Sequence, residues 1–326
     1  MFTASDVRST HRAWLILFAS LTSVLTGCMD AIEPRSITEL LAAPPAPPTP
    51  PPPPTPRPAG PEHIYVANAD GSQVARLVAG AGPAWSPDGR RIAFYRDGDI
   101  HVINADGSGD VRIAKGTQPA WSPDGTKIAF SCTDGICVMR GDGSQVSLLV
   151  RHDFRTDTYA PWDMGVGKPA WSPDGALIAF QHMGDGDTSP GQIYVMNADG
   201  ADLRDLTMSH NGATFAESDP SWSPDGSKVL LWSYGYGISA TDRNGGVPNA
   251  IWLDFPDVCY GARPVSSPDG RKIMFNHRLR PDTDIWIITD RRPGGGLDIR
   301  MLIFDAFDGA WSPDGARIAF VSTRLQ

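Results

Sequence analysis

Five copies of Trp-Ser-Pro-Asp-Gly punctuate this chain, beginning at Trp85, Trp121, Trp171, Trp222 and Trp311. A sixth, degraded copy begins at Ser266, where serine takes the tryptophan's place. The starts lie about 36 to 51 residues apart. A repeat of that length buries its apolar face only against a neighbouring repeat, which restricts the chain to a propeller or a solenoid.

The residues around the motif separate those two. Each copy leads into a β-rich run that ends in a large apolar residue, as in Ile92-Ala93-Phe94, Ile128-Ala129-Phe130, Ile178-Ala179-Phe180 and Ile318-Ala319-Phe320. A second such run follows at 100–103, 136–139, 193–196 and 285–288, with a weaker copy at 238–240. Then comes a turn such as Asn-Ala-Asp-Gly at 104–107 or 197–200, and another short apolar stretch. Strands rich in β-branched and aromatic residues, punctuated by Asp-Gly, read as hairpins. Together with the residues before each Trp-Ser, every repeat supplies four short antiparallel strands, which is one propeller blade. The chain is therefore expected to be all-β.

The ends complete the count. Residues 63–78 form a second half-repeat with no Trp motif before it, and the repeat at 311–320 is a first half with nothing after it. Joined in space, the two halves make one composite blade and close a six-bladed ring without a free inter-blade edge.

Ahead of the ring, Arg8, His11 and Arg12 precede the apolar run 13–25, which is too short to span a bilayer stably. Charge, apolar core and small residues in that order read as a secretion signal. Its cleavage region, Leu25-Thr26-Gly27-Cys28, resembles the bacterial lipoprotein signal, which implies a signal peptide over 1–27 and lipidation of Cys28. An acylated cysteine carries enough chains for stable anchoring. An ordinary secreted protein is the alternative. Residues 28–61 read as a tether, almost wholly Pro with Ala and Thr from 44 onward. That composition favours polyproline II as a semi-rigid spacer. The ring is expected to occupy 62–326.

The net charge of −9 comes with no stripe of Lys and Arg, which disfavours nucleic-acid binding. Besides Cys28, Cys132 and Cys137 flank a turn on adjacent strands, close enough for a disulfide in an oxidising compartment, while Cys259 stands alone. No Cys-x-x-Cys occurs, so a zinc site has no support and no metal or other cofactor is expected.

Six aspartates around a ring invite a metal or catalytic reading, but turn chemistry explains them better. Pro sets φ, Asp bonds its own backbone and Gly accepts positive φ, so the motif is scaffold and its Trp packs between blades. Strand alternation places these turns and the Asn-Ala-Asp-Gly turns on one face. On the opposite face the connections lengthen and vary, at 151–168, 181–192, 209–219 and 254–263. Binding residues concentrate in variable loops on rigid scaffolds. The candidates are His152, Arg155, Trp162 and Asp163, with Lys168, Asp219, Arg263 and Asp308 just ahead of the inner strands near the channel mouth.

Trp-Ser-Pro-Asp-Gly-x-x-Ile-Ala-Phe followed by Ile-Tyr-Val-Met-Asn-Ala-Asp-Gly resembles the TolB-like propeller repeat, a relative of WD-type repeats. The resemblance implies a six-bladed propeller with a protein-binding face. In TolB itself a small α/β domain precedes the propeller; here the residues ahead of the ring read as a signal and tether instead, so the expected protein is a TolB-like propeller lipoprotein and not TolB.

Catalysis is the weaker expectation. A Gly-x-Ser-x-Gly elbow is absent. The sialidase box needs Asp-x-Gly, and here Asp and Gly are adjacent. His152, His182, His210 and His277 show no spacing pattern, and 185–189 resembles a calcium loop but lacks its later Glu. The expected protein is an exported lipoprotein, facing the periplasm from the outer membrane or displayed at the cell surface. Its propeller is expected to be monomeric and to bind another envelope protein, or a peptidoglycan- or glycan-associated one, touching the membrane through the lipid alone. The alternatives are a hydrolase or lyase acting on extracellular glycan and a purely structural envelope component.

Overall fold

The computed structural model describes residues 61–324, apart from 152–165, 183–190, 208–216, 234–236, 247, 253–262, 280–281 and 290–297. Residues 1–60, and with them the signal peptide, Cys28 and nearly all of the tether, lie outside the described residues, as does Cys259.

Twenty-four strands form six four-stranded antiparallel sheets. The chain opens with β1 (His63–Asn68) and β2 (Ala75–Ala79). Blade 1 is β3 (Ala81–Trp85), β4 (Arg91–Arg96), β5 (Asp99–Asn104) and β6 (Val111–Lys115). Blade 2 is β7 (Thr117–Trp121), β8 (Lys127–Cys132), β9 (Gly135–Arg140) and β10 (Ser147–Arg151). Blade 3 is β11 (Val166–Trp171), β12 (Leu177–His182), β13 (Gln192–Asn197) and the two-residue β14 (Arg204–Asp205). Blade 4 is β15 (Glu217–Trp222), β16 (Lys228–Ser233), β17 (Gly237–Asp242) and β18 (Asn249–Trp252). Blade 5 is β19 (Val265–Ser266), β20 (Lys272–Leu279), β21 (Asp282–Thr289) and β22 (Asp298–Ile303).

Blade 6 takes β23 (Phe307–Trp311) and β24 (Arg317–Ser322) from the end of the ring and β1 and β2 from its start, in the order β2-β1-β24-β23. The seam runs in unbroken register from His63 opposite Ser322 to Asn68 opposite Arg317. This is the composite blade that the half-repeats require. The degraded copy at Ser266 leaves a mark, since β19 keeps only two residues. The weak copy around Ile238 does not, because β17 pairs with β16 along its whole length.

The core is a circle of seams, with no single centre. Six hydrophobic clusters each join one blade to the next. The Ile-Ala-Phe run explains why. A middle strand is covered on both faces by neighbouring blades, so Ile92, Ala93 and Phe94 are all fully buried, as are their counterparts in blades 2, 3 and 6. Each such Phe contributes about 1.5–3 kcal/mol of burial. The inner-strand tryptophans stitch the seams. Trp171, Trp222 and Trp311 each donate their indole N–H to a carbonyl of the preceding inner strand, at Ala120, Ala170 and Val265. Arg91 lies over Trp121 and Arg317 over Trp85, so cations of one blade cover the tryptophan of the next.

All six Ser-Pro-Asp-Gly turns share one hydrogen-bond pattern. The serine hydroxyl donates to the aspartate at 2.5–2.6 Å. It also accepts the N–H of the following strand's first residues at 2.9–3.0 Å. The glycine is left-handed, with φ 67° at Gly89, and a Cβ there would stand 3.8 Å from Pro313 of the preceding turn. The same Gly-to-Pro contact recurs around the ring, so the six turns interlock.

Candidate functional site

The opposite end of the channel is built from one residue per blade, three places before the Trp or, in blade 5, before Ser266. These are Gly82, Gln118, Lys168, Asp219, Arg263 and Asp308, and all six have a left-handed backbone, with φ between 41° and 59°. Proline follows the first five. In β3, β7, β11, β15 and β23 the ladder shifts register at this point, a bulge in each inner strand. Bulges re-aim side chains, and a left-handed non-glycine residue costs about 1 kcal/mol or more. Five such residues at equivalent places at one channel end mark a built site. Lys168, Asp219 and Asp308 thus lie inside their inner strands and not ahead of them, because each strand begins earlier and bulges.

Four charges alternate around the ring, and each pairs with its neighbour on the adjacent blade. Asp219 accepts from the Lys168 ammonium, and Arg263 Nε stands 3.6 Å from the same carboxylate. Arg263 then pairs with Asp308. The Asp219 side chain is only 2 % exposed, so these two cations are its compensation. Burial works against the charge of Arg263, but Asp308 and Asp219 outweigh it and hold its pKa above the ordinary value. Backbone donors freed by the bulges are also met. Gln118 Oε1 takes the Lys168 N–H at 2.8 Å, and Asn276 Oδ1 takes that of Asp308 at 3.1 Å.

The other arc is neutral. Gly82 leaves its place to the Tyr95 ring, whose Cε1 would stand 2.6 Å from a Cβ there. Burial raises the pKa of Tyr95, with Asp308 and Glu62 adding to it. A cavity of about 90 Å³ lies within the ring. One further group faces this end. Glu217, two residues before Asp219, is buried, and its pKa is pushed up to about 8 by that burial, against a hydrogen bond from Thr207 and with Asp205 nearby.

Of the eight predicted contact residues, the structure brings together Lys168, Asp219, Arg263 and Asp308. His152, Arg155, Trp162 and Asp163 lie outside the described residues, and so do His210 and 185–189. Gln118, Gly82 and Glu217 join the ring from outside the predicted set. For the first two a signal existed, the fixed offset before Trp with proline after it. The histidines need a correction too. His182 and His277 do share a position, two after the Phe in blades 3 and 5, and both are buried. They pack against Tyr194 and Trp286, core partners that strand alternation turns inward.

Cys132 and Cys137 are joined by a disulfide with Cα atoms 5.8 Å apart. Among the described residues no three His, Cys, Asp or Glu side chains gather as metal ligands. Chemically the ring joins an arc of paired charges to a neutral arc around a small opening.

No protein-family model matches the chain, and no curated protein sequence does. Solved structures do. A protein assigned as a TolB from Agrobacterium tumefaciens is 21% identical with a TM-score of 0.63, over 82% of this chain and all of that one. TolB from Acinetobacter baumannii is 19% identical with a TM-score of 0.53, covering 81% of this chain but only 64% of its own length. An oligogalacturonate lyase in complex with manganese follows at 14% identity and a TM-score of 0.52, over 78% of this chain and 80% of that one. The chain therefore has the six-bladed TolB-like propeller fold.

Proposed function

We propose that this protein is an exported envelope lipoprotein, lipidated on Cys28 and held off the membrane by the proline-rich tether 28–61. Its propeller is a protein-binding module, and the partner docks on the channel-mouth face. The observation that carries the docking face is the asymmetry between the two ends of the channel. One end is six copies of a single interlocked turn, while the other sets glycine, glutamine, lysine, aspartate, arginine and aspartate in turn at six equivalent left-handed positions. The TolB-like fold and repeat support a protein partner at such a face. The signal-like segment ahead of Cys28 supports export and anchoring. The lyase likeness concerns fold alone and names no residue of this chain, so a glycan-cleaving reading is not adopted.

Two measurements test this. Mass spectrometry of the mature N-terminus is expected to show an acylated Cys28, and Cys28→Ser to release the protein from membranes; an unmodified cysteine on membrane-free protein would refute the anchor. Affinity capture from envelope extract is expected to retain a partner with the intact protein. Replacing 152–165 with a short Gly-Ser link is expected to lose it, and retention by that variant would count against the face.

A further inference from the structure

We propose that a groove beside the channel, at the seam of blades 1 and 2, binds a small hydroxylated carboxylate, a sugar acid in chemical class. The groove opens on the mouth face and has a volume of about 380 Å³, within the roughly 300–1,000 Å³ range of small-molecule sites. This inference goes beyond partner docking and does not depend on it.

The walls are fixed. Gly116 lies at the floor, buried, and a Cβ there would stand 2.6 Å from both the Phe130 ring and the Ser131 carbonyl, so only glycine fits the packing beneath the groove. One wall is the tip of the β8–β9 hairpin, braced by the Cys132–Cys137 disulfide. The other is the end of β6, which presents Lys115.

The lining points to the ligand. Gln118 uses its carbonyl oxygen twice, accepting from the Ser131 hydroxyl at 3.0 Å and the Lys168 N–H at 2.8 Å. Two donors on one atom settle which way the carboxamide points and leave its NH₂ without a partner among the described residues. The hydroxyls of Thr117 and Thr133 likewise have no partner among the described residues. Lys115 supplies the one charge in the lining, and no carboxylate lines the groove. Asp99, its register partner on β5, is hydrogen-bonded by Arg112 at 2.7 Å, and Lys115 adds only a longer-range attraction to the same carboxylate while remaining exposed. Val166, only 3 % exposed, closes the lining from blade 3. A fixed amide donor, two hydroxyls and one cation match a carboxylate carried on a polyol.

The test is calorimetric titration of the full-length protein with glucuronate up to about 10 mM, with glucose and glucosamine as neutral and cationic controls. Saturable binding of glucuronate is expected, with glucose at least tenfold weaker and no binding of glucosamine. Lys115→Glu is expected to weaken glucuronate at least tenfold, and Thr133→Trp to block it by filling the groove. Both positions are exposed, so both variants are expected to keep the parent unfolding temperature. No saturable signal with glucuronate, equal affinity for glucose, or binding that both variants leave intact would overturn the proposal.

Discussion

The two ends of the channel solve the same problem in opposite ways. At the turn end, exposed aspartates sit in repeated Ser-Pro-Asp-Gly loops. The serine hydroxyl and a backbone N–H lower their pKa values, to about 2 at Asp174 and Asp225. At the mouth end a buried carboxyl, Glu217, is pushed up to about 8. Local hydrogen bonds fix the first set; burial and long-range pairing fix the second. The turn end is therefore indifferent to which blade it belongs to. The mouth end varies from blade to blade, with only aspartate used twice.

The largest expected effect separates the ends by pH. Glu217 has a folded pKa above its unfolded one, so its proton binds more tightly in the folded state and stability falls as pH rises from about 4.5 to about 8. The turn aspartates act with opposite sign: their contribution is full above the ordinary value of 3.8 and is lost as pH falls toward 2. Chemical denaturation across pH 4–9 is expected to show the alkaline loss in the parent and a clearly smaller one in Glu217→Gln. An unchanged slope in that variant would mean Glu217 is ionised in the folded state.

Next in size is Asp219→Ala. It leaves Lys168 and Arg263 facing each other without their shared carboxylate, at an expected cost of about 2–3 kcal/mol, less than for a fully buried pair because both cations keep some exposure. Urea denaturation reads it. A cost below about 1 kcal/mol would make the mouth ring a surface ornament.

The smallest effect is expected at the turns. Ser122→Ala removes one hydroxyl that donates to Asp124 and accepts from the Lys127 N–H, costing about 1 kcal/mol. Ser312→Ala, in another blade, is expected to cost the same. Unequal losses would break the claim that the turns are interchangeable.

Much of this architecture was legible because the repeat states it six times. Strand count, composite blade and turn chemistry all follow from residues close together in sequence. The arc Lys168–Asp219–Arg263–Asp308 was legible as a neighbourhood, since each residue holds the same offset from an inner strand. Its pairing was not, because which charge meets which depends on blades some fifty residues apart closing in space, as with Lys168 and Asp219. Gln118 escaped notice for a related reason. Its importance lies in a carboxamide oxygen shared by two blades, and an uncharged residue gives no signal of that. His182 and His277 are the reverse case: their residue type suggests chemistry, while their common place after a core Phe marks them as packing residues.

Site-directed photo-cross-linking in the native envelope tests the central claim most directly. Cross-linking residues would replace Asp97 and Asp134, exposed on the mouth face, and Arg90 and Arg271, exposed at the turn end. A discrete adduct from positions 97 or 134, and none from 90 or 271, is the predicted result. Adducts from the turn end alone, or none from either end, would contradict the assignment of the mouth face as the binding surface.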